Sequence, residues 1–347
     1  MNQSKKYLLV LAATTTSICV AVAVFNAWID PLWIFGHSHS WNQHQISINQ
    51  RVQKSNYLYF GDHAYDSVLL GDSRSTTLRE SDFSNMRLFN YSLNSTYPDE
   101  YEGLLAFYSS IQGPPKNILI GMAFFTTRSR IKSERDTAKS SAPETPSVLD
   151  AVQSLVSLDT LRYTLRTIRA NADPLRERYL YDRSNTLTIR PLANDRREHA
   201  VQRQLREYRT IRYGSDYVYE DIGPKALLRI RKQYPNANVV VFTTPISAEL
   251  FGVLVESGRF EDYARWLGDL VATGTTVIDM MGVNAFTTTT ANYLDAHHFH
   301  TNQSSAIAEI VQIRSEGQTT VGQRVTQDNL SEHIRAQRQG ATPIRLP

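Results

Sequence analysis

The chain has 347 residues, of which 41% are hydrophobic and 20% charged, a composition that excludes wholesale disorder, collagen-like repeats and a polytopic membrane bundle. Its 37 Lys and Arg against 34 Asp and Glu leave a net charge of +3, too slight an excess to point to nucleic acid as a partner. The single cysteine, Cys19, rules out an intrachain disulfide and any cysteine-based metal site, and this usage suits a bacterial envelope protein.

Lys5 and Lys6 precede an uncharged run from Tyr7 to Trp28, closed by Asp30-Pro31. A bilayer core needs ~20 apolar residues as a helix, so residues 7–28 are expected to cross the lipid bilayer. The polar Thr14-Thr15-Thr16-Ser17 can return its hydroxyls to the i−4 carbonyls. A cleavable signal peptide would use Ala21-Val22-Ala23 as its small-residue site. The run continues past that site, and Trp28 and Trp33 are placed like an interfacial aromatic belt, so a retained anchor is favoured. Lys5 and Lys6 put the N-terminus in the cytoplasm and the body outside, single-pass in a bacterial inner membrane. Residues 1–36 are assigned to this tip, anchor and juxtamembrane segment.

Beyond a polar, helix-like stretch from His37 to Phe60, short apolar runs alternate with amphipathic ones, the pattern of a parallel sheet with crossover helices. Strands are predicted at Ser67–Leu70, Arg87–Leu93, Asn117–Met122, Asn238–Phe242 and Thr276–Asp279. Helices fit Pro98–Ile111, Lys225–Tyr234, Ala248–Glu256, Phe260–Ala272 and Gln303–Ile313. The interval 126–223 breaks this rhythm. It opens with a Ser/Thr/Arg/Pro-rich loop from Arg128 to Pro146 and continues as a helical stretch from Ser147 to Asn171. An Arg-rich segment, Arg176 to Arg212, completes it. We read the interval as an insertion on one face of the sheet within a body spanning 37–313, followed by a mobile, apolar-poor tail, 314–347.

Two motifs carry chemistry. In Leu69-Leu70-Gly71-Asp72-Ser73-Arg74-Ser75 a buried strand ends in glycine, and Ser73 is expected to open a helix at the carboxyl end of the sheet, where α/β ligand sites form. A helix N-terminus there would aim N–H groups at a bound anion. The alternative is that Asp72 and Ser73 merely cap the helix. In Asn292-Tyr293-Leu294-Asp295-Ala296-His297-His298-Phe299-His300, Asp295 and His298 stand three apart, so the carboxylate could orient the imidazole that takes the proton from Ser73. A surface histidine cluster is the plainer reading. A metal site from Asp295, His297, His298 and His300 is disfavoured, because adjacent histidines diverge and no second cluster of ligands is evident.

These two blocks resemble the SGNH (GDSL-type) hydrolase superfamily. The further features Asp30-Pro31, Asn49-x-Arg51 with Lys54, Thr244-Pro245-Ile246-Ser247 and Asn292-Tyr293-x-Asp295 are similar to its membrane-anchored bacterial branch, which includes the alginate O-acetylation and teichoic acid D-alanine-transfer proteins. The resemblance implies a three-layer α/β/α fold with a parallel sheet, preceded by one transmembrane helix. It implies Ser73 as nucleophile, His298 as base and Asp295 as its orienting acid. Oxyanion donors would come from the backbone near Ser73 and Ser95. The superfamily's glycine, five residues after Asn90, is here Ser95, and the asparagine expected after the third strand is Ala123, which has no side-chain donor. Asn94 is the nearest substitute.

The arginines Arg128, Arg130, Arg135, Arg176, Arg178, Arg183, Arg196, Arg197 and Arg203, interleaved with Tyr179, Tyr181 and Tyr208, could hold a glycan, or form a solvated, ion-paired face. The expected activity is acyl-ester transfer or hydrolysis on a cell-envelope or secreted polysaccharide, with an acyl-donor protein as a further partner and no metal or organic cofactor. A catalytically silent glycan-binding or assembly subunit is the alternative.

Overall fold

The computed structural model describes residues 3–130, 147–312 and 319–341. Nine strands occur among them: β1 (Gln45–Ile46), β2 (Ser67–Gly71), β3 (Leu88–Asn90), β4 (Asn117–Met122), β5 (Tyr179–Tyr181), β6 (Leu187–Ile189), β7 (Asn238–Thr243), β8 (Thr276–Asp279) and β9 (Gln323–Val325). They belong to two compact units. One combines residues 3–63 with 147–190, and the other combines 64–130 with 191–312 and 319–341.

The larger unit is a mixed α/β structure on a six-stranded sheet ordered β3-β2-β4-β7-β8-β9. Every pair from β3 to β8 is parallel, and β9 closes the edge antiparallel to β8. Parallel strands need crossovers of a dozen or more residues, which explains why the apolar runs alternate with amphipathic helices. β2 is buried at all five positions, as a strand covered on both faces must be. Side chains alternate across it. Leu69, Leu119, Phe242 and Ile278 share a core with Ile307 and Val311 of helix Ser304–Gln312. Met122 of β4 instead meets Gly223 of helix Ile222–Gln233, where a Cβ would fall 2.6 Å from the Met122 sulfur. The predicted strands Asn117–Met122 and Thr276–Asp279 and the helices Ala248–Glu256 and Phe260–Ala272 have the expected bounds.

The C-terminal segment is a correction. Instead of a mobile tail it supplies β9 and helix Leu330–Ala341; residues 313–318 and 342–347 lie outside the described residues. A buried polar anchor makes the difference. Asp279, at the end of β8, accepts hydrogen bonds from the Tyr263 hydroxyl, from Thr243 Oγ1 at 2.7 Å and from His333 Nε2 at 2.7 Å. His333 Nδ1 lies 3.0 Å from Gln323 Oε1, so one imidazole ties the last helix and last strand to the sheet. A low apolar content conceals a latch of this kind.

The smaller unit corrects the reading of the insertion. Residues 147–190 group with the N-terminal segment in one unit. β1 pairs antiparallel with β5, and β5 with β6, joining strands more than a hundred residues apart. The helical stretch breaks into Val148–Leu155 and Leu158–Ala172, the second capped by Ser157 at Asp159 N. An N-terminal helix, Gln3–Ile29, has 27 residues and is long and apolar enough to span a membrane. Asp30 then turns back, its carboxylate accepting the Ile34 N–H at 2.7 Å and pairing with Arg183. Trp33 is not a belt residue: it is buried edge-on against Tyr57 and Tyr181, with centroids 5.7 and 5.4 Å away.

The His333–Asp279 hydrogen bond is fully enclosed, and leaving a buried polar group without its partner costs roughly 1–3 kcal/mol. His333→Ala should therefore lower the urea midpoint of the larger unit substantially. An unchanged midpoint would mean that the last helix is peripheral to its stability.

Candidate active site

β2 and β4 end side by side on glycines, Gly71 pairing with Gly121. A Cβ on either would lie 2.4 or 2.0 Å from Ser75 Oγ, so both positions must be glycine for Ser75 to tuck beneath the turn. Asn90, at the end of β3, donates through Nδ2 to the carbonyls of Ser75 at 3.0 Å and Leu78 at 2.7 Å, which pins the turn from the other side. Ser73 sits at the crest. It does not open an α-helix as expected. Only a three-residue 3₁₀ turn, Ser75–Thr77, follows, so no helix dipole acts here and turn N–H groups are the local donors. The neighbouring Asp72 is turned inward, accepting the Arg74 N–H at 3.0 Å and pairing with the Arg74 guanidinium. Arg74 in turn donates to the Tyr208 hydroxyl at 2.6 Å.

The second motif meets the first. Ser73 Oγ lies 2.9 Å from His298 Nε2. His298 Nδ1 lies 2.8 Å from Asp295 Oδ2 and 3.1 Å from Oδ1. With Nδ1–H given to the carboxylate, Nε2 is left as acceptor for the serine hydroxyl. Asp295 also accepts the N–H groups of His297 at 3.0 Å and His298 at 2.9 Å, so one carboxylate shapes the loop and orients the ring. Burial alone would raise its pKa, but the hydrogen bond and charge of His298, with His297, hold it well below the usual carboxylate range. Burial and the charges of His298 and Arg74 hold the His297 imidazole well below its usual value, which leaves it neutral.

The insertion fixes this loop. From helix Asn194–Glu207, Gln204 Oε1 accepts the Ala296 N–H at 2.9 Å, and the Arg197 guanidinium donates to the carbonyls of Tyr293 at 3.2 Å and Thr290 at 2.9 Å. The same segment ends in a π-helical turn, Tyr208–Arg212. A cavity of about 190 Å³ opens beside Ser73, walled by Ser95, Tyr97, Phe125, Glu207, Tyr208 and Arg212. The Arg212 guanidinium lies 5.3 Å from the Phe125 ring centroid and 3.6 Å from Glu207.

Ser95 stands in this wall with φ +56°, the left-handed conformation that glycine adopts freely and other residues adopt at a cost. It thus keeps a glycine-like backbone path without the glycine. Asn94 is exposed and outside the cavity wall. Ala123 is buried at the end of β4, with its carbonyl capped by Thr126. Asp295, His297 and His298 bring possible metal ligands within 4.8 Å of one another, but both His298 nitrogens are engaged by Ser73 and Asp295, and His300 is not in the group.

The arginines divide between the two units. Arg176, Arg178 and Arg183, with Tyr179 and Tyr181, belong to the smaller unit; Arg128, Arg130, Arg196, Arg197, Arg203 and Tyr208 belong to the larger, and Arg135 lies outside the described residues. Several are paired, Arg176 with Asp173 and Arg130 with Asp99. Of the set, Tyr208 walls the cavity. Phe125, Glu207 and Arg212 were not singled out in advance, because nothing local in sequence marks a residue that a π turn or loop brings to a distant serine.

No family model matches the sequence, and no curated protein matches it. Among solved structures, the chain is similar to one from Streptococcus pneumonia described as a platelet activating factor, at 8% identity and TM-score 0.36. That match covers 75% of this chain and 88% of the other.

Two outcomes follow from the site's geometry. Ser95→Gly should stabilise the protein by roughly 0.5–1 kcal/mol, since the strain of a left-handed L-residue is relieved; a loss of stability in urea unfolding would show that the serine side chain supports the loop. Because the Asp295 pKa is depressed in the folded state, its contribution to stability is fully present above the unfolded value of about 3.9 and is lost as pH falls below it. Asp295→Asn should therefore flatten the decline of the urea midpoint below pH ~4, whereas an unchanged decline would assign the acid sensitivity elsewhere.

Proposed function

We propose that the protein is a membrane-anchored, SGNH-like serine enzyme that transfers or hydrolyses acyl esters outside the cytoplasm. The observation that carries this reading is the unbroken relay from Ser73 through His298 to Asp295, with a cavity at its serine end. In the proposed reaction Ser73 Oγ attacks the acyl carbonyl and its proton passes to His298 Nε2. Asp295 stabilises the resulting imidazolium. Backbone N–H groups of Ser73 and Ser95 receive the oxyanion. Collapse expels the alcohol oxygen, which takes the proton back from His298, and leaves an acyl-Ser73 ester. Water or a sugar hydroxyl then attacks that ester by the same relay in reverse, giving hydrolysis or transfer.

A cavity of about 190 Å³ is smaller than the ~300–1,000 Å³ of sites that enclose drug-sized ligands, which suits a small acyl group with the alcohol part lying outside. The assignment of a cell-envelope or secreted polysaccharide as that alcohol rests on the resemblance to alginate O-acetylation and teichoic acid D-alanine-transfer proteins. The apolar helix Gln3–Ile29, with Lys5 and Lys6 at its start, supports a single-pass anchor with the body outside. Ala123 favours a second reading, a silent glycan-binding subunit, because one side-chain oxyanion donor is typically worth ~10²–10³ in rate.

A fluorophosphonate probe separates the two readings. It should label the parent protein and not Ser73→Ala, and His298→Ala should slow labelling by roughly 10²–10⁴, the usual contribution of a general base. Ala123→Asn should raise turnover of a simple acetyl ester by less than the ~10²–10³ of a native donor, since a grafted side chain lacks its supporting shell. If the parent protein takes no label, the catalytic reading fails and the binding-subunit reading replaces it.

A further inference from the structure

The smaller unit leaves apolar side chains uncovered in one neighbourhood. On helix Val148–Leu155, Leu149 is 64% and Val152 54% exposed, and Leu158, which opens the next helix, is 70% exposed. Val156 is also exposed. Leu149 and Val152 follow the i, i+3 spacing of a single helix face, and Val156 stands directly after them at the helix C-cap. Folding normally hides such a stripe.

Hydrogen bonds tie this stripe to the end of the N-terminal helix. Asn26 Nδ2 donates to the Leu155 carbonyl at 2.7 Å, and Asn26 Oδ1 accepts from Thr164 Oγ1 at 2.7 Å. Two residues on, the Trp28 carbonyl lies 2.7 Å from His37 Nε2 and 2.8 Å from His39 Nε2. The Trp28 ring stacks on His39 with centroids 5.0 Å apart and lies 6.1 Å from Trp41. Trp28, Phe35 and Trp41 are each about half exposed. At ~1.5 Å per residue, the helix climbs about 29 Å from Tyr7 to Asn26, close to the ~30 Å of a hydrocarbon core. Asn26 and Trp28 therefore mark the level at which the chain leaves the bilayer, and the apolar stripe is clamped at that level. Tryptophan is the side chain most at home there, and a short amphipathic helix can lie in the same plane with its apolar face among the acyl chains.

We propose that Leu149, Val152, Val156 and Leu158, together with Trp28, Phe35 and Trp41, form a lipid-immersed collar. Through it the smaller unit seats in the headgroup–acyl boundary of the membrane that its own anchor crosses. The occupant is lipid, because the stripe is continuous with the helix that spans it. The collar rests on the anchor reading and adds to it that the unit is held against the membrane at several points instead of hanging from a single helix.

The test uses the full chain in phosphatidylcholine vesicles. In a Cys19→Ser background, single cysteines are placed by Leu149→Cys, Val152→Cys, Val156→Cys and, as an exposed control off the stripe on the same helix, Asp150→Cys. Each carries an environment-sensitive fluorophore, quenched either by a lipid spin label near the headgroup or by aqueous iodide. The native Cys19, labelled in the parent chain, reports on the anchor through a spin label deep in the acyl chain. The collar predicts lipid quenching at the three stripe positions at least about twofold stronger than at Asp150→Cys, with weak iodide quenching. Iodide quenching at the stripe equal to that at Asp150→Cys overturns the collar, and lipid quenching of Cys19 in the same vesicles would show that the anchor reading still stands. Stripe positions protected from both quenchers, with protection lost as the protein is diluted into more lipid, would overturn it in favour of a second copy of the chain.

Discussion

Everything at the candidate site depends on two strand ends where the Ser75 side chain leaves no room for a Cβ. β2 and β4 end on the paired glycines Gly71 and Gly121, and Ser75 packs into the space they leave. The chain can therefore reverse within a few residues after β2 and hold Ser73 up at the edge of the sheet. Asn90 braces the same turn from β3 through its two carbonyl contacts. Either glycine replaced by a larger residue would push Ser75, and with it the crest that carries Ser73.

Around that turn the larger unit divides the work between rigid and adaptable parts. The parallel strands place the serine turn, whereas the partner loop from Asn292 to His300 lies outside the sheet and closes on itself through a single antiparallel bridge, Tyr293 to Phe299. It is further stapled by Asp295 to its own N–H groups and by Gln204 and Arg197 from outside. The segment that interrupts the α/β rhythm thus contributes in two ways. Its first part folds with the N-terminal helix and builds the small β1-β5-β6 sheet, and its last part supplies the braces and cavity wall of the site. A left-handed Ser95 and a buried Ala123 stand where the pattern it resembles has glycine and asparagine, and both lie outside the Ser73–His298–Asp295 relay.

Sequence legibility followed the range of the forces involved. Elements with strong periodicity, such as Asn117–Met122 and Phe260–Ala272, were readable because a buried strand or amphipathic helix carries its pattern within its own residues. The residues of the candidate relay were readable for a similar reason: Gly71-Asp72-Ser73 and Asp295-x-x-His298 are each local motifs, and the short Asp295-to-His298 spacing lets one carboxylate bond to its neighbours' N–H groups as well as to the ring. The tail and the insertion were misread because their stability comes from distant partners. The tail's place depends on His333 reaching Asp279, and the insertion's first part is held by Asn26, Asp30 and β1. Trp33 was misplaced on the same account: its burial against Tyr181 involves a residue 148 positions away.

The sequence by itself determined an apolar helix of membrane-spanning length, a parallel α/β body, and the identity of the three residues that meet at the relay, since each is written in short-range pattern or spacing. Only the tertiary structure decided that Ser73 precedes a short 3₁₀ turn and not a helix, that Ser95 adopts a glycine's conformation, and that the insertion divides between two units. It also decided which side chains wall the cavity. These outcomes depend on which segments, far apart in the chain, bury one another, and a backbone turn takes its final form only when those distant neighbours are packed against it.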